Sequence, residues 1–255
     1  MNVLRLTEPR IDNQWSLKII GDKIKLVRMY SVRESGWESS EEKQDRINDT
    51  KLRKNIMRAR NTIFEYAYCN SWDWFFTGTL NRQKIARDDL GEFEKRFSQM
   101  VRDLRKKYSC DIQYLLVPEL HSDLENWHCH GLLQGIPFNR LSHFKDEMYN
   151  WLDYERVFGF CSLDKIRSHE AVSKYLTKYV TKCYYSNRGV SEVGKHLYCV
   201  SRGLKKGEIL YKGQVKTDCL LSPSYENDFC QVFDLDLNDE NLEICKNLFG
   251  IDIMN

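Results

Sequence analysis

His128 and His130 are separated by a single residue in the stretch Trp127–Gly135, whose apolar pattern reads as a β-strand. Side chains alternate along a strand, so both imidazoles leave the same face, roughly 6–7 Å apart. Two imidazoles on one face can share a divalent cation. The preceding strand, read over Ile112–His121, carries Glu119 and His121. If Asp123–Asn126 close a four-residue turn, His121 faces His128 and Glu119 faces His130. Glu119 then becomes a third ligand and His121 a possible fourth. A loop one residue longer or shorter would send Glu119 to the other face. Two histidines with a carboxylate suit Mn²⁺, and Mg²⁺ where phosphate oxygens complete the shell. Two ordinary histidines on an edge strand would leave the same HxH pattern.

A second set of reactive groups lies in Ser168–Lys182, where YxxK occurs twice in tandem as Tyr175-Leu-Thr-Lys178 and Tyr179-Val-Thr-Lys182. On a helix the two tyrosines are i,i+4 neighbours, and each has a lysine three residues on. Phenols beside ammonium groups can attack a phosphodiester, with Lys178 and Lys182 stabilising phenolate and phosphoryl charge. The helix itself is anchored by Val172, Leu176 and Val180. An amphipathic helix whose tyrosines reach out from the core edge would look the same from its spacing alone.

The elements that must position these groups alternate along the chain. Residues 15–31 read as two strands around Gly21-Asp22, residues 33–50 as a loop, and Asp49 as the start of a helix ending near Asn70. Strands are expected at Trp72–Leu80, Ile112–His121, Trp127–Gly135, Phe158–Ile166 and His196–Arg202. Helices are expected at Asp88–Tyr108, Leu141–Leu152 and Ser168–Lys182. The short link between the second and third strands forces an antiparallel pair. The expected fold is therefore α+β, a five-stranded antiparallel sheet backed by helices. Residues 1–70 form an N-terminal hairpin and helix extension, 71–207 the central domain, and 208–255 an acidic C-terminal tail.

Residues 221–255 hold eight acidic residues and one basic, Lys246, a net charge of −7 in a chain of +2. The remaining body is thus +9, which suits a polyanionic partner, and the tail would compete for that basic surface. Nine cysteines occur without a CxxC pair, which argues for reduced thiols in a cytosolic protein rather than a structural zinc site. No run of eighteen apolar residues occurs, so no membrane partner is expected, and the charged first twenty residues do not read as a secretory signal.

The ordered set Phe76-Thr77-Gly78-Thr79-Leu80, His128-Cys129-His130 and Tyr175-x-x-Lys178-Tyr179 resembles the three motifs of HUH-type replication initiators, the Rep proteins of rolling-circle plasmids and single-stranded DNA phages. The likeness spans about residues 72–205. Its doubled tyrosine is similar to the two-tyrosine initiators. Cys129 stands where the family has a bulkier apolar residue, and Gly78 stands where motif one usually has an apolar one. The resemblance implies the HUH endonuclease fold and a metal-dependent nuclease and strand transferase. In such an enzyme a tyrosine attacks a single-stranded DNA origin, leaving a 5′-phosphotyrosine and a free 3′-OH, and the strand is later rejoined. It also implies Mn²⁺ or Mg²⁺ on the histidines, work with a host helicase and polymerase, and a bacterial cytoplasm as the setting.

A host helicase is further implied because Gly189–His196, GVSEVGKH, has His196 where a phosphate-binding loop needs Ser or Thr. Candidate DNA contacts are Arg202, Lys205 and Lys206 after the fifth strand and Arg53, Lys54, Arg58 and Arg60 on the first helix, with Tyr184, Tyr185 or Tyr198 able to stack on bases. A two-tyrosine HUH transposase would use the same chemistry. A non-catalytic DNA-binding protein on the same fold would need neither the metal set nor the tyrosines.

Overall fold

The computed structural model describes residues 9–32, 40–86, 88–120, 127–186, 197–215, 219 and 221–251. In chain order its elements are β1 (Pro9–Ile20), β2 (Lys23–Val32), α1 (Ser40–Tyr68), β3 (Trp74–Thr79), α2 (Leu90–Tyr108), β4 (Gln113–Leu120), β5 (Trp127–Gln134), β6 (Leu141–Lys145), β7 (Met148–Trp151), α3 (Leu152–Val157), β8 (Cys161–Lys165), α4 (His169–Ser186), β9 (Cys199–Val200), β10 (Glu208–Gln214), β11 (Tyr225–Asn227), β12 (Cys230–Asp236) and α5 (Asp239–Phe249). The protein is α+β, and every strand pairing described is antiparallel. None of the described helices is long and apolar enough to cross a membrane. The chain divides into two units, residues 50–205 and residues 1–49 with 206–255.

The unit of residues 50–205 holds a seven-stranded sheet in the order β6-β7-β8-β3-β5-β4-β9. The five expected strands are all there, and a hairpin adds two. That hairpin, β6–β7, replaces the helix expected over Leu141–Leu152. Asp146 turns the chain with a φ of 47°. Asn150 is then buried by a bond from the Cys161 amide to its side-chain oxygen, and Trp151 is fully buried. Those tertiary partners outweigh the helical spacing of Leu141, Phe144 and Met148.

One face of this sheet meets α2 and α3 through Phe76, Cys129, Leu133 and Leu163 against Phe93, Phe97, Met100 and Tyr154. Burial of each such side chain stabilises by about 1.5–3 kcal/mol. Helix α2 starts where its cap predicts: the Asp89 carboxylate accepts from the Glu92 amide at 2.9 Å. The opposite face carries Leu115, Val117 and Leu132, which pack under Ile63 and Ala67 of α1 and Leu176 and Val180 of α4. Asn70 clasps the other end of the unit, its amide donating to the Lys205 carbonyl and accepting from the Lys205 N–H, both at 2.9 Å.

The other unit corrects the expected extension and tail. Its five-stranded sheet has the order β10-β1-β2-β12-β11, so the C-terminal strands are threaded with the N-terminal hairpin rather than left as a tail. The hairpin turns at Gly21, with a φ of 60°. Phe233 of β12 stacks on Trp15 with ring centres 5.5 Å apart, and α5 covers the same core through Cys245, Leu248 and Phe249. The acidic residues are placed against lysines: Lys23 bonds Asp236 at 2.6 Å, and Lys25 stands 4.0 Å from Asp234. Helix α1 begins at Ser40, inside the expected loop, because SEEKQDRIN is rich in helix formers.

Candidate active site

Strand β5 brings both histidines to the face that carries α4, as period-two alternation requires. The register against β4 differs from the expected one: Glu119 pairs with His128, and Val117 pairs with His130. The loop is two residues longer than a four-residue turn. A shift of two preserves the face, so Glu119 still joins the histidines, now diagonally across from His130. Its Oε2 lies 2.8 Å from His130 Nε2, and both side chains are only 12 % exposed. His121 lies outside the described residues.

Strand β3 supplies the other neighbours. Thr77 pairs with His130 and Thr79 with His128. Thr77 Oγ1 is 3.3 Å from His130 Nδ1, so both ring nitrogens of His130 have polar partners. Phe75, one step further along the same face, has its ring 6.2 Å from that of His130 and 5.5 Å from that of Tyr175. Motif one thus contributes orientation from Phe75 and Thr77, which the motif comparison did not single out. Alternation alone places these residues on one face; what was missing was that β3 lies beside β5.

Gly78 faces the opposite side, and its lack of a side chain has a cause. A Cβ there would come within 2.4 Å of the Phe76 ring and 2.5 Å of the Tyr154 hydroxyl. Tyr154 fills that space and reaches the Thr79 carbonyl at 3.3 Å. Cys129 is small for the same reason, buried against the same core.

Helix α4 presents its tyrosines unequally. Tyr179 is 9 % exposed and lies flat on His130, ring centres 3.8 Å apart with planes 14° from parallel. Its hydroxyl bonds that of Tyr175 at 2.7 Å. Burial first, and then the Tyr175 hydroxyl, raise the Tyr179 phenol well above its ordinary pKa. Tyr175 is 44 % exposed. Lys178 is exposed and places Nζ 5.3 Å from the centre of the Tyr175 ring, a cation over an aromatic face rather than a partner of the hydroxyl. Lys182 belongs to α4, but its side chain lies outside what is described, as do those of Tyr184 and Tyr185.

Two ligands held at right angles about 2.1 Å from one cation stand about 3 Å apart. The His130–Glu119 separation of 2.8 Å matches that spacing, so this pair fits a divalent cation exchanged for the shared proton. His128 faces the same side, yet among the described residues no three His, Cys, Asp or Glu side chains converge as a ready-made cluster. The imidazole–carboxylate pair is in place, and the third ligand has still to swing in.

The basic residues divide. Arg53, Lys54, Arg58, Arg202, Lys205 and Lys206 are exposed, and Arg60 is half-buried. Asn70 holds Lys205 at the end of α1, and Arg60 lies about 15 Å back along that helix, at 1.5 Å per residue, so the two sets do not form one cluster. The GVSEVGKH loop is outside the described residues.

No curated protein and no solved structure matches the chain. The model of one protein family does: residues 73–184, from the first residues of motif one through both tyrosines, match a family of replication-associated proteins of the ORF2 type, and this match supports a replication-associated, Rep-like protein.

Proposed function

We propose that the protein is a replication initiator that nicks and rejoins single-stranded DNA at an origin, with a tyrosine as nucleophile. The observation that carries this reading is the arrangement of His130, bonded to Glu119 on one side and covered by the ring of Tyr179, itself bonded to Tyr175. A histidine–carboxylate pair within one ring's thickness of two phenols is a phosphoryl-transfer constellation, and its place within the matched family segment supports initiation of replication.

His128, His130 and Glu119 would hold a divalent cation, Mn²⁺ or Mg²⁺, which supplies Lewis-acid stabilisation of phosphoryl charge. Thr77 and Phe75 fix the His130 ring. The phenolic oxygen attacks the phosphorus and forms a P–O bond. The bond to the 3′ oxygen of the preceding nucleotide breaks, and that oxygen takes up the proton the phenol gives away. The products are a 5′-phosphotyrosine and a free 3′-OH, which a host polymerase can extend behind a host helicase in rolling-circle replication. Reversal of the step rejoins a strand without ATP, because the ester keeps the bond energy. Tyr175, open to solvent, meets the first strand. Tyr179, buried and with its proton held tightly, serves the second cut after α4 shifts. The setting is the cytoplasm of a bacterial host.

Denaturing gels and mass spectrometry of trapped peptide–DNA adducts test this. Tyr175→Phe should lose most first-strand cleavage, Tyr179→Phe less, and the double variant all of it. Full cleavage by the double variant, or in excess chelator, would overturn the proposal.

A further inference from the structure

The sheet face that carries His130 is roofed by helices over β4 and β5, where Leu115, Val117 and Leu132 lie under α1 and α4. Toward β8 and the hairpin the same face carries exposed side chains. Cys161 pairs with Gly78, so the next residue, Phe160, stands opposite Thr79, its carbonyl accepting the Thr79 amide at 3.1 Å and the Thr79 hydroxyl as well. Phe160 therefore shares the face of Thr79 and His128. Its ring meets that of Phe144 from the hairpin edge to face, centres 5.1 Å apart at 83°. The two are 46 % and 42 % exposed.

We infer that Phe144 and Phe160 form a stacking platform for an unpaired base of the DNA strand engaged at the tyrosines, a role that rests on the nicking function proposed above. Three observations favour a nucleic-acid base as the occupant. The platform continues the candidate site: Phe160 is two strands from His128, about 10 Å at 4.8 Å per strand, and about three nucleotides of stacked single strand cover that distance. The pair is rigidly held, because Phe160 is tied to Thr79 by two hydrogen bonds. Cations flank it: Lys145 follows Phe144, and the amide of Asn81 on the Phe158 carbonyl, at 2.7 Å, holds the exposed Arg82 beside this turn. The acidic neighbour Glu147 is taken up by Arg167 at 2.7 Å. Aromatic faces accept any base, so the platform holds the strand without choosing its sequence.

The test uses the full chain and two fluorescent probes of equal length and charge, a thirty-nucleotide oligo-dT and the same backbone without bases, followed by anisotropy. Phe144→Ala/Phe160→Ala should weaken oligo-dT binding by about 5- to 150-fold, the usual range for one lost base stack, and leave the abasic probe unchanged. Phe160→Trp should restore oligo-dT binding, and Phe160→Leu, which keeps apolar bulk, should not. Unchanged oligo-dT binding overturns the platform, as does equal weakening of both probes. A change of oligomeric state with unchanged DNA binding also overturns it and makes the pair a protein contact. If the wild-type chain forms tyrosine–DNA adducts while the double variant binds oligo-dT normally, the platform alone fails. If the wild-type chain binds no single strand, both readings fail together.

Discussion

Replacement of Glu119 by Gln isolates the one polar contact on which the proposed chemistry most depends. The substitution keeps size and one acceptor oxygen, and removes the negative charge 2.8 Å from His130 Nε2. A hydrogen bond to a charged group contributes about 1.5–3 kcal/mol and a neutral one about 0.5–1.5, so the loss without metal is about 1 kcal/mol. For a unit of this size that is a fall of about 2–4 °C in Tm. The larger effect appears with Mn²⁺. At a concentration 100 times Kd, a ligand bound only by the folded state adds about 2.7 kcal/mol, or about 5–11 °C. The wild-type chain should show that shift and Glu119→Gln should lose most of it, because a neutral amide is a poor partner for a hard cation. Scanning calorimetry with and without Mn²⁺ reads both numbers, and titration calorimetry gives the affinity directly. Equal Mn²⁺ affinity in the two proteins would refute the assignment of Glu119 as a ligand.

Gly78→Val should destabilise the same unit by about 1–3 kcal/mol through overpacking against Phe76 and Tyr154; adding Tyr154→Phe should recover part of it, and an unchanged Tm would contradict the packing described. Removing residues 221–255 should unfold the five-stranded unit rather than tighten DNA binding, since it strips β12 and α5 from Trp15, Leu17, Ile24 and Leu26; limited proteolysis should digest that unit and spare residues 50–205. Affinity for single strands should fall with salt by about 0.7 log units per phosphate contact per tenfold increase, and a flat response would exclude the basic surface as the DNA track.

The groups that do chemistry were legible because their spacing matches the element that carries them. HxH on a strand and YxxxY on a helix each fix a shared face without reference to anything else. The Glu119 assignment survived a register error because that error was even. Thr77 and Phe75 were not assigned, since strand order across a sheet depends on partners far away in sequence. The hairpin over residues 141–151 was read as a helix because Leu141, Phe144 and Met148 carry helical spacing, while the partners that decide the matter, Cys161 and Glu155, come later in the chain. The acidic segment looked like a tail for a related reason. Its strands satisfy their lysines and Trp15 only when they return to a hairpin some two hundred residues earlier.

That return has a bearing on biosynthesis. The unit of residues 50–205 is an insertion within the other unit, whose sheet is sewn from both ends of the sequence. As the polypeptide leaves the ribosome, the inserted unit can close as soon as Lys205 reaches Asn70. The N-terminal hairpin must wait, with Leu17, Ile24 and Leu26 unmatched, until β12 emerges. Its pairing crosses the whole inserted unit, a long loop closure that favours late formation. The segment that carries the histidines and tyrosines is therefore ready first. The host sheet becomes a checkpoint that only a nearly finished chain can pass, and ribosomes that stall after residue 205 would release a folded catalytic unit lacking its second sheet.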